Sequence, residues 1–263
     1  MQIKDRTFIV SGGASGLGFA TCEDLHHHGG YIAILDMNPS NGEKAVQQLS
    51  STRAKFFEVD VTDSESLEAA VNGAMEWVKK TGKPIGGLLP LAGVGLPAKL
   101  LDKDLNPIPM AKLDFVIDIN LRGVLNLIRL VLPHMARNEP VGEDGERGVI
   151  VMVSSTSAFE GQVGQLSYAA TKGAIRSMTL VLARDLAPNG IRALSIAPSL
   201  FETAMSAAMS PKVREALQRV AEYPKRLGNA REFAHMARTC IENNYLNGEC
   251  IRLDGATRMP AKL

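Results

Sequence analysis

"TFIVSGGASGLG" spans Thr7 to Gly18, and its reading decides the fold. A short β-prone run ends in glycines at Gly12, Gly16 and Gly18, spaced GxxxGxG, and an apolar-periodic helix follows from Phe19 to about His28. Glycine lets the backbone turn sharply and approach a pyrophosphate, whose charge the helix N-terminus then meets. Ser11, Ser15 and Leu17 complete the expected cofactor-binding turn. A glycine triplet alone also fits a plain strand-to-helix turn. Here a strand precedes it, a helix follows it, and Asp36 in "IAILDMN" closes the next strand. A carboxylate there suits both adenosine ribose hydroxyls and repels a 2′-phosphate, so NAD is expected rather than NADP. Neither Lys nor Arg stands at Ala14, Ser15 or Met37, which agrees. Asp60 and Val61, after "KFFEV", are expected at the end of the third strand, beside the adenine. Asp60 serves equally as a cap for the helix beginning near Ser64.

Outward from this turn, β-rich runs at 7–11, 31–36, 55–59, 87–91, 149–154, 192–197 and 249–253 alternate with stretches of helical period. Such alternation implies right-handed crossovers and a parallel sheet covered on both faces. The expected fold is a doubly wound α/β sheet of the Rossmann type, with about seven strands and a single domain over residues 1–263. Segments 95–111, 138–148 and 199–224 break the rhythm, and the last is expected to cover a substrate.

Lysine and arginine total 29 against 28 acidic residues, which gives no electrostatic case for nucleic acid or an anionic membrane. A small-molecule partner is expected. No apolar run approaches the roughly 18 residues that span a bilayer, and "MQIKDRTFIV" enters a strand so early that no N-terminal targeting peptide is expected. Cys22, Cys240 and Cys250 form no CxxC pair and read as buried thiols in a reducing compartment. Consecutive helical side chains at His26, His27 and His28 point about 100° apart and share one ion poorly. They read as cations at a helix C-terminus, and no metal is expected. The chain ends Ala261-Lys262-Leu263, the small-basic-leucine form of a peroxisomal address read by an import receptor. The alternative is an unstructured tail on a cytoplasmic protein.

Chemistry concentrates in "SSTSAFEGQVGQLSYAATK", residues 154–172. Tyr168 and Lys172 are four apart, so on a helix their polar ends converge on one ligand. A phenol is a poor base at neutral pH, but a neighbouring ammonium and a cationic nicotinamide both favour phenolate. Lys172 is placed to supply that field and to donate to the nicotinamide ribose. Ser155 stands thirteen residues before Tyr168, at the end of the apolar run "GVIVMVS", where its hydroxyl would hold a substrate oxygen.

Gly12, Gly16, Gly18, Asp36, Asp60, Asn120 in "DINLRG", Ser155, Tyr168 and Lys172 together resemble the short-chain dehydrogenase/reductase family over nearly the whole chain. Within it, "AFEGQVGQ", "ARDLAPNGIR", "IAP" before "LF", "RLG" and "LNGECIRLDGATRM" resemble the type-2 (short-chain) 3-hydroxyacyl-CoA dehydrogenase branch. The resemblance implies that Asn120 holds a water relaying protons from Lys172. The plainer reading of Asn120 is a helix-interior side chain bonding nearby backbone. The resemblance further implies that Ala92, Gly93, Pro198 and Leu200 line the cofactor, that Thr203 bonds the nicotinamide amide, and that the protein is a homotetramer assembled through the helices bearing Asn120 and Tyr168. Three departures stand out. Pro90-Leu91-Ala92-Gly93 replaces Asn-Asn-Ala-Gly, so one strand-end contact must be replaced. Pro198-Ser199 replaces Pro-Gly, and Asp254-Gly255-Ala256 replaces Asp-Gly-Gly.

Gln162, Met205 and Met209 join Ser155 and Tyr168 as expected substrate contacts; the methionine pair reads equally as helix core. Lys99, Lys103, Lys212 and Arg214 are the candidate cations for a CoA phosphate. Three functions fit: NAD-dependent interconversion of 3-hydroxyacyl-CoA and 3-oxoacyl-CoA in fatty-acid β-oxidation; the same chemistry on a steroid, terpenoid or polyketide alcohol; and a non-catalytic NAD-binding scaffold.

Overall fold

Successive side chains on a strand point to opposite faces, and here both sets are apolar, so the sheet must be covered twice. Strand β1 (Thr7–Ser11) sends Ile9 to one face and Phe8 and Val10 to the other. Strand β2 (Tyr31–Asp36) splits Ala33 and Leu35 from Ile32 and Ile34 in the same way. The computed structural model describes residues 1–203, Ser206 and 220–260. It adds β3 (Ala54–Glu58), β4 (Ile85–Pro90), β5 (Gly148–Val153), β6 (Ile191–Pro198) and β7 (Cys250–Leu253). All seven form one parallel sheet in the order β3-β2-β1-β4-β5-β6-β7.

One face is packed by α1 (Gly16–His27), α2 (Pro39–Leu49) and α7 (Ala230–Glu242), which contribute Cys22, Leu25, Ala45 and Phe233. The other is packed by α3 (Ser64–Thr81), α5 (Val124–Ala136) and α6 (Leu166–Leu186), with Leu67, Trp77, Leu127 and Ile175. Each Leu, Ile or Phe buried in this way contributes about 1.5–3 kcal/mol. A short α4 (Met110–Ile117) runs into a π-helical turn, Asp118–Gly123, before α5. Among the described residues no helix is long and apolar enough to cross a membrane.

The strand order reverses between β1 and β4, and ligands of such sheets bind at that switch, beyond the carboxyl ends of the strands. Ser11 pairs with Pro90 across the switch. The β4–β5 ladder runs Gly87↔Val149 and Leu88↔Ile150, short of Pro90, so the imide nitrogen takes no ladder position there. The next amides compensate: Leu91 N–H donates to the Ser11 carbonyl at 3.1 Å and Ala92 N–H to the Ser11 hydroxyl at 3.3 Å.

Far from that switch, Arg192 on β6 is buried and donates to the Cys240, Ile241, Asn243 and Leu246 carbonyls at the end of α7. Its guanidinium also meets the buried Glu146 carboxylate at 2.8 Å, to which the Met1 ammonium comes within 2.7 Å. A charge removed from water in this way persists only with partners for its hydrogen bonds.

Candidate active site

The glycine turn is built by backbone crowding. A Cβ on Gly12 would sit 2.8 Å from Ala92 Cα, and one on Gly18 would run into the Gly12 carbonyl oxygen. Gly12 and Gly16 also hold φ of +66° and +52°, a region that disfavours other side chains. Ser15 is the N-cap of α1 with extended backbone and no side-chain cap bond. The first amides of α1, at Gly16, Leu17 and Gly18, therefore have no intrahelical partners. That cradle fits a dinucleotide pyrophosphate. Asp36 closes β2 as expected, and its carboxylate accepts from Ala14 N–H at 3.1 Å and Asn38 N–H at 3.2 Å. The acidic group thus braces the glycine turn as well as standing beside it.

Asp60 accepts from the Thr62 amide and hydroxyl at 2.9 and 2.7 Å. Helix α3 is capped by Asp63 instead, so the capping alternative for Asp60 is corrected. Val61 packs on Gly123, where a Cβ would lie 2.9 Å from the Val61 carbonyl.

The reacting groups gather at the carboxyl end of β5. Ser155 follows that strand, and its hydroxyl lies beside the Tyr168 phenol and accepts from Ser157 N–H at 3.1 Å. Tyr168 and Lys172 lie in the first two turns of α6, with the ammonium 5.7 Å from the tyrosine ring centre. Burial raises the Tyr168 phenol above its ordinary value, and the Ser155 hydroxyl opposes that. Burial also lowers Lys172 to about 8, so near neutral pH it still carries its proton and donates to the Val153 carbonyl at 3.0 Å.

Asn120 is fully buried in the π-helical turn, a local distortion that often marks functional sites. Its amide reaches across the fold, not along its own helix: Oδ1 accepts from Val94 N–H at 2.8 Å and Nδ2 donates to the Val94 carbonyl at 2.9 Å. Asn120 is thus a helix-interior side chain bonding backbone, as its plainer reading has it, with the backbone belonging to a segment distant in sequence. Gly93 sits between the two polar groups, since a Cβ there would be 3.2 Å from Asn120 Oδ1 and 3.5 Å from Lys172 Nζ. Sequence reasoning passed over Ser154, whose buried hydroxyl donates to the Lys172 carbonyl at 2.8 Å and ties α6 to β5 beside the site. Adjacency to Ser155 was its only signal.

Pro198 ends β6, and the following Ser199 amide is held by the Leu253 carbonyl at 3.1 Å. The Leu200 carbonyl accepts from Gly228 N–H at 2.9 Å. Thr203 stands over the glycine turn, 3.5 Å from where a Gly16 Cβ would be. Gln162 is partly buried, and its carbonyl accepts from Gln165 N–H at 3.1 Å. Met205, Met209, Lys212, Arg214 and Ala261-Lys262-Leu263 lie outside the described residues.

Within the histidine run, His26 departs from its reading. Burial, with Arg53 and His27 adding to it, lowers His26, so His26 is not a helix-terminal cation. Arg53 takes that part, donating to the His26 and Gly30 carbonyls at 2.8 and 3.2 Å. Among the described residues no three His, Cys, Asp or Glu side chains gather to hold a metal ion. Cys22 and Cys240 are buried and Cys250 is partly so, all three as free thiols.

The model for the short chain dehydrogenase family matches residues 6–214. A Bos taurus 3-hydroxyacyl-CoA dehydrogenase type-2 is 43% identical over 259 residues, covering 98% of this chain and 97% of the relative. An Ips pini ipsdienol dehydrogenase is 32% identical, covering 98% of this chain and 99% of the relative. The crystal structure of a Mycobacterium avium 3-hydroxyacyl-CoA dehydrogenase type-2 superposes with a TM-score of 0.90 at 35% identity, over 100% of each chain. With its glycine turn, its Ser155-Tyr168-Lys172-Asn120 cluster and these likenesses, the chain belongs to the short-chain dehydrogenase family and is an oxidoreductase acting on alcohols with a nicotinamide cofactor.

Proposed function

We propose that the protein is an NAD-dependent 3-hydroxyacyl-CoA dehydrogenase that interconverts the 3-hydroxy and 3-oxo thioesters of fatty-acid β-oxidation. The observation that carries the reading is the convergence of Ser155, Tyr168, Lys172 and Asn120 next to the glycine turn, in a chain so like the type-2 enzymes.

The chain's own groups divide the work. Ser155 donates a hydrogen bond to the substrate oxygen and holds it beside Tyr168. Tyr168 takes the hydroxyl proton in oxidation and returns it in reduction. Because burial keeps the phenol protonated, this step needs positive charge close by. Lys172 contributes one such charge. A bound oxidised nicotinamide supplies the hydride acceptor and the second positive charge. Gly93 leaves room between Lys172 and Asn120, which suits the proton relay assigned to Asn120. Asp36, Gly12, Gly16, Gly18 and Thr203 would hold the dinucleotide. The Asp36 carboxylate at the tip of β2 supports NAD over NADP, since it would repel a 2′-phosphate.

A CoA thioester would meet Lys99 and Lys103 on the 95–111 segment, while Met205, Met209, Lys212 and Arg214 remain candidates from the sequence alone. Import into peroxisomes through Ala261-Lys262-Leu263 and assembly as a homotetramer belong to the same proposal. Exposed Phe115, Leu125, Leu180 and Val181 on α4, α5 and α6 support an interface between copies.

The deciding experiment is a substrate panel with NAD or NADP, read as reduced-nicotinamide absorbance. Oxidation of 3-hydroxybutyryl-CoA or a longer homologue with NAD is expected. No turnover of any thioester overturns the reading, and activity confined to free alcohols moves it to the second one. That alternative has support in the likeness to a dehydrogenase named for the alcohol ipsdienol. A fluorescent fusion lacking the last three residues tests import, and light scattering tests the tetramer.

A further inference from the structure

We propose that Glu160 and Arg252 are a positioning pair for the substrate cleft, clamping the loop between Ser155 and Tyr168 onto the segment that follows β7 and so holding Gln162 in place. This rests on the preceding assignment of the cleft.

The loop 156–165 is anchored at its start by the Thr156 carbonyl, which accepts from the Phe159 and Glu160 amides at 2.9 and 3.0 Å. At its end, the Gly164 carbonyl accepts from Ala98 N–H at 2.7 Å, and Ser157 bonds the Gln165 side chain at 2.8 Å. The middle is open: a Cβ on Gly161 would meet nothing within 4 Å, and Val163 is exposed. Besides the Gln162 carbonyl, which accepts from Gln165 N–H at 3.1 Å, what ties this stretch to the rest of the fold is Glu160. Arg252 at the end of β7 grips both of its carboxylate oxygens, Nη1 at 2.7 Å and Nη2 at 3.2 Å. Met259 N–H donates to it at 3.2 Å, and Arg258 approaches within 3.5 Å.

Arg252 is itself held, donating through Nε to Asp254 at 2.7 Å and through Nη2 to the Thr257 carbonyl at 3.0 Å. The adjoining Phe159 ring lies 4.8 Å from the Arg252 guanidinium and 4.1 Å from that of Arg176, one turn past Lys172 on α6. The cluster therefore joins three parts: the helix bearing Tyr168, the loop bearing Gln162, and the 252–259 segment. A planar guanidinium bound through two parallel bonds fixes orientation as well as distance, which a lone lysine contact does not. Side-chain exposures of 20% and 23% leave the pair partly shielded, so solvent screens it less than a surface pair.

The test uses full-length protein saturated with NAD and the variants Glu160→Ala, Glu160→Gln and Arg252→Lys. Arg238→Gln serves as control: it breaks a pair of similar exposure, Arg238 with Asp24 at 23% and 23%, on the far helix α7. Hydrogen exchange of amides 160–164 is expected to quicken about tenfold in Glu160→Ala, with α6 unchanged. KM for 3-hydroxybutyryl-CoA is expected to rise about tenfold while kcat stays within about threefold, the signature of lost uniform binding. Arg252→Lys, which retains the charge, falls between, and Arg238→Gln leaves KM alone. Should Glu160→Ala unfold, Glu160→Gln carries the same readouts at smaller amplitude. Unchanged exchange in 160–164 overturns the clamp, as does a KM no different from that of Arg238→Gln. A wild type inactive on every thioester refutes the proposed function instead, and exchange alone then decides the clamp.

Discussion

Lys172 is an ammonium buried to 4% exposure, and its cost should be measurable. Burial moves its pKa from 10.5 to about 8. In the unfolded chain the side chain is a free lysine, so at pH 7 both states carry the proton and the folded one bears a penalty of about 3 kcal/mol. The sign follows from proton binding. Between about pH 8 and 10.5 the unfolded chain binds more protons than the folded one, so stability rises with pH across that window and the penalty is gone above it. Lys172→Met keeps the length of the side chain and removes the charge. It also strips the Val153 carbonyl of its donor, at a cost of about 1–2 kcal/mol. The variant without cofactor should thus be about 1–2 kcal/mol more stable than wild type at pH 7. Its advantage should shrink by about 2 kcal/mol on going to about pH 9.5. Urea unfolding of both proteins at the two pH values is the assay. Turnover, by contrast, should fall about 100-fold or more, because proton transfer at Tyr168 loses its fixed charge. A variant that is less stable at pH 7, with a gap that does not move with pH, would refute this account of the site.

Other expectations follow from single contacts. Asp36→Arg should weaken NAD binding about tenfold or more and improve NADP binding, read by cofactor titration, since it exchanges a ribose acceptor for a phosphate partner; unaltered NAD affinity would show that β2 does not end at the ribose. Ala256 holds φ of +60°, where the family pattern has glycine, so Ala256→Gly should raise stability by about 0.5–1 kcal/mol in thermal melts after the added chain entropy is offset. Arg192→Met leaves Glu146 and the α7 carbonyls without their main donor and should cost about 3–5 kcal/mol in urea unfolding.

Much of the fold was legible because a doubly covered sheet writes itself locally. Runs such as Ile32 to Leu35 are apolar at every position, and turns and caps separate them from amphipathic helices. The errors are small and physical. Strand β4 starts at Ile85, two residues before the expected Gly87, because Gly86 and Gly87 lie in the strand to let it pass Arg6 and Phe8, not to end it. A Cβ on Gly86 would come within 2.7 Å of Arg6 Cβ. The reacting residues were legible for a similar reason. Tyr168 and Lys172 share a helix, and Ser155 ends the preceding strand, so short spacings carry the geometry.

What the sequence by itself determined is therefore whatever depends on neighbours within a turn or a strand: the alternating α/β order, the glycine cradle and the Ser155, Tyr168 and Lys172 arrangement. What only the tertiary structure decided depends on contacts between distant segments. Asn120 finds Val94 from 26 positions away, Glu160 finds Arg252 from 92 away, and the phenol of Tyr168 is raised because burial outweighs the opposing Ser155 hydroxyl. No local pattern encodes these, since desolvation and long-range pairing exist only once the chain has closed around them.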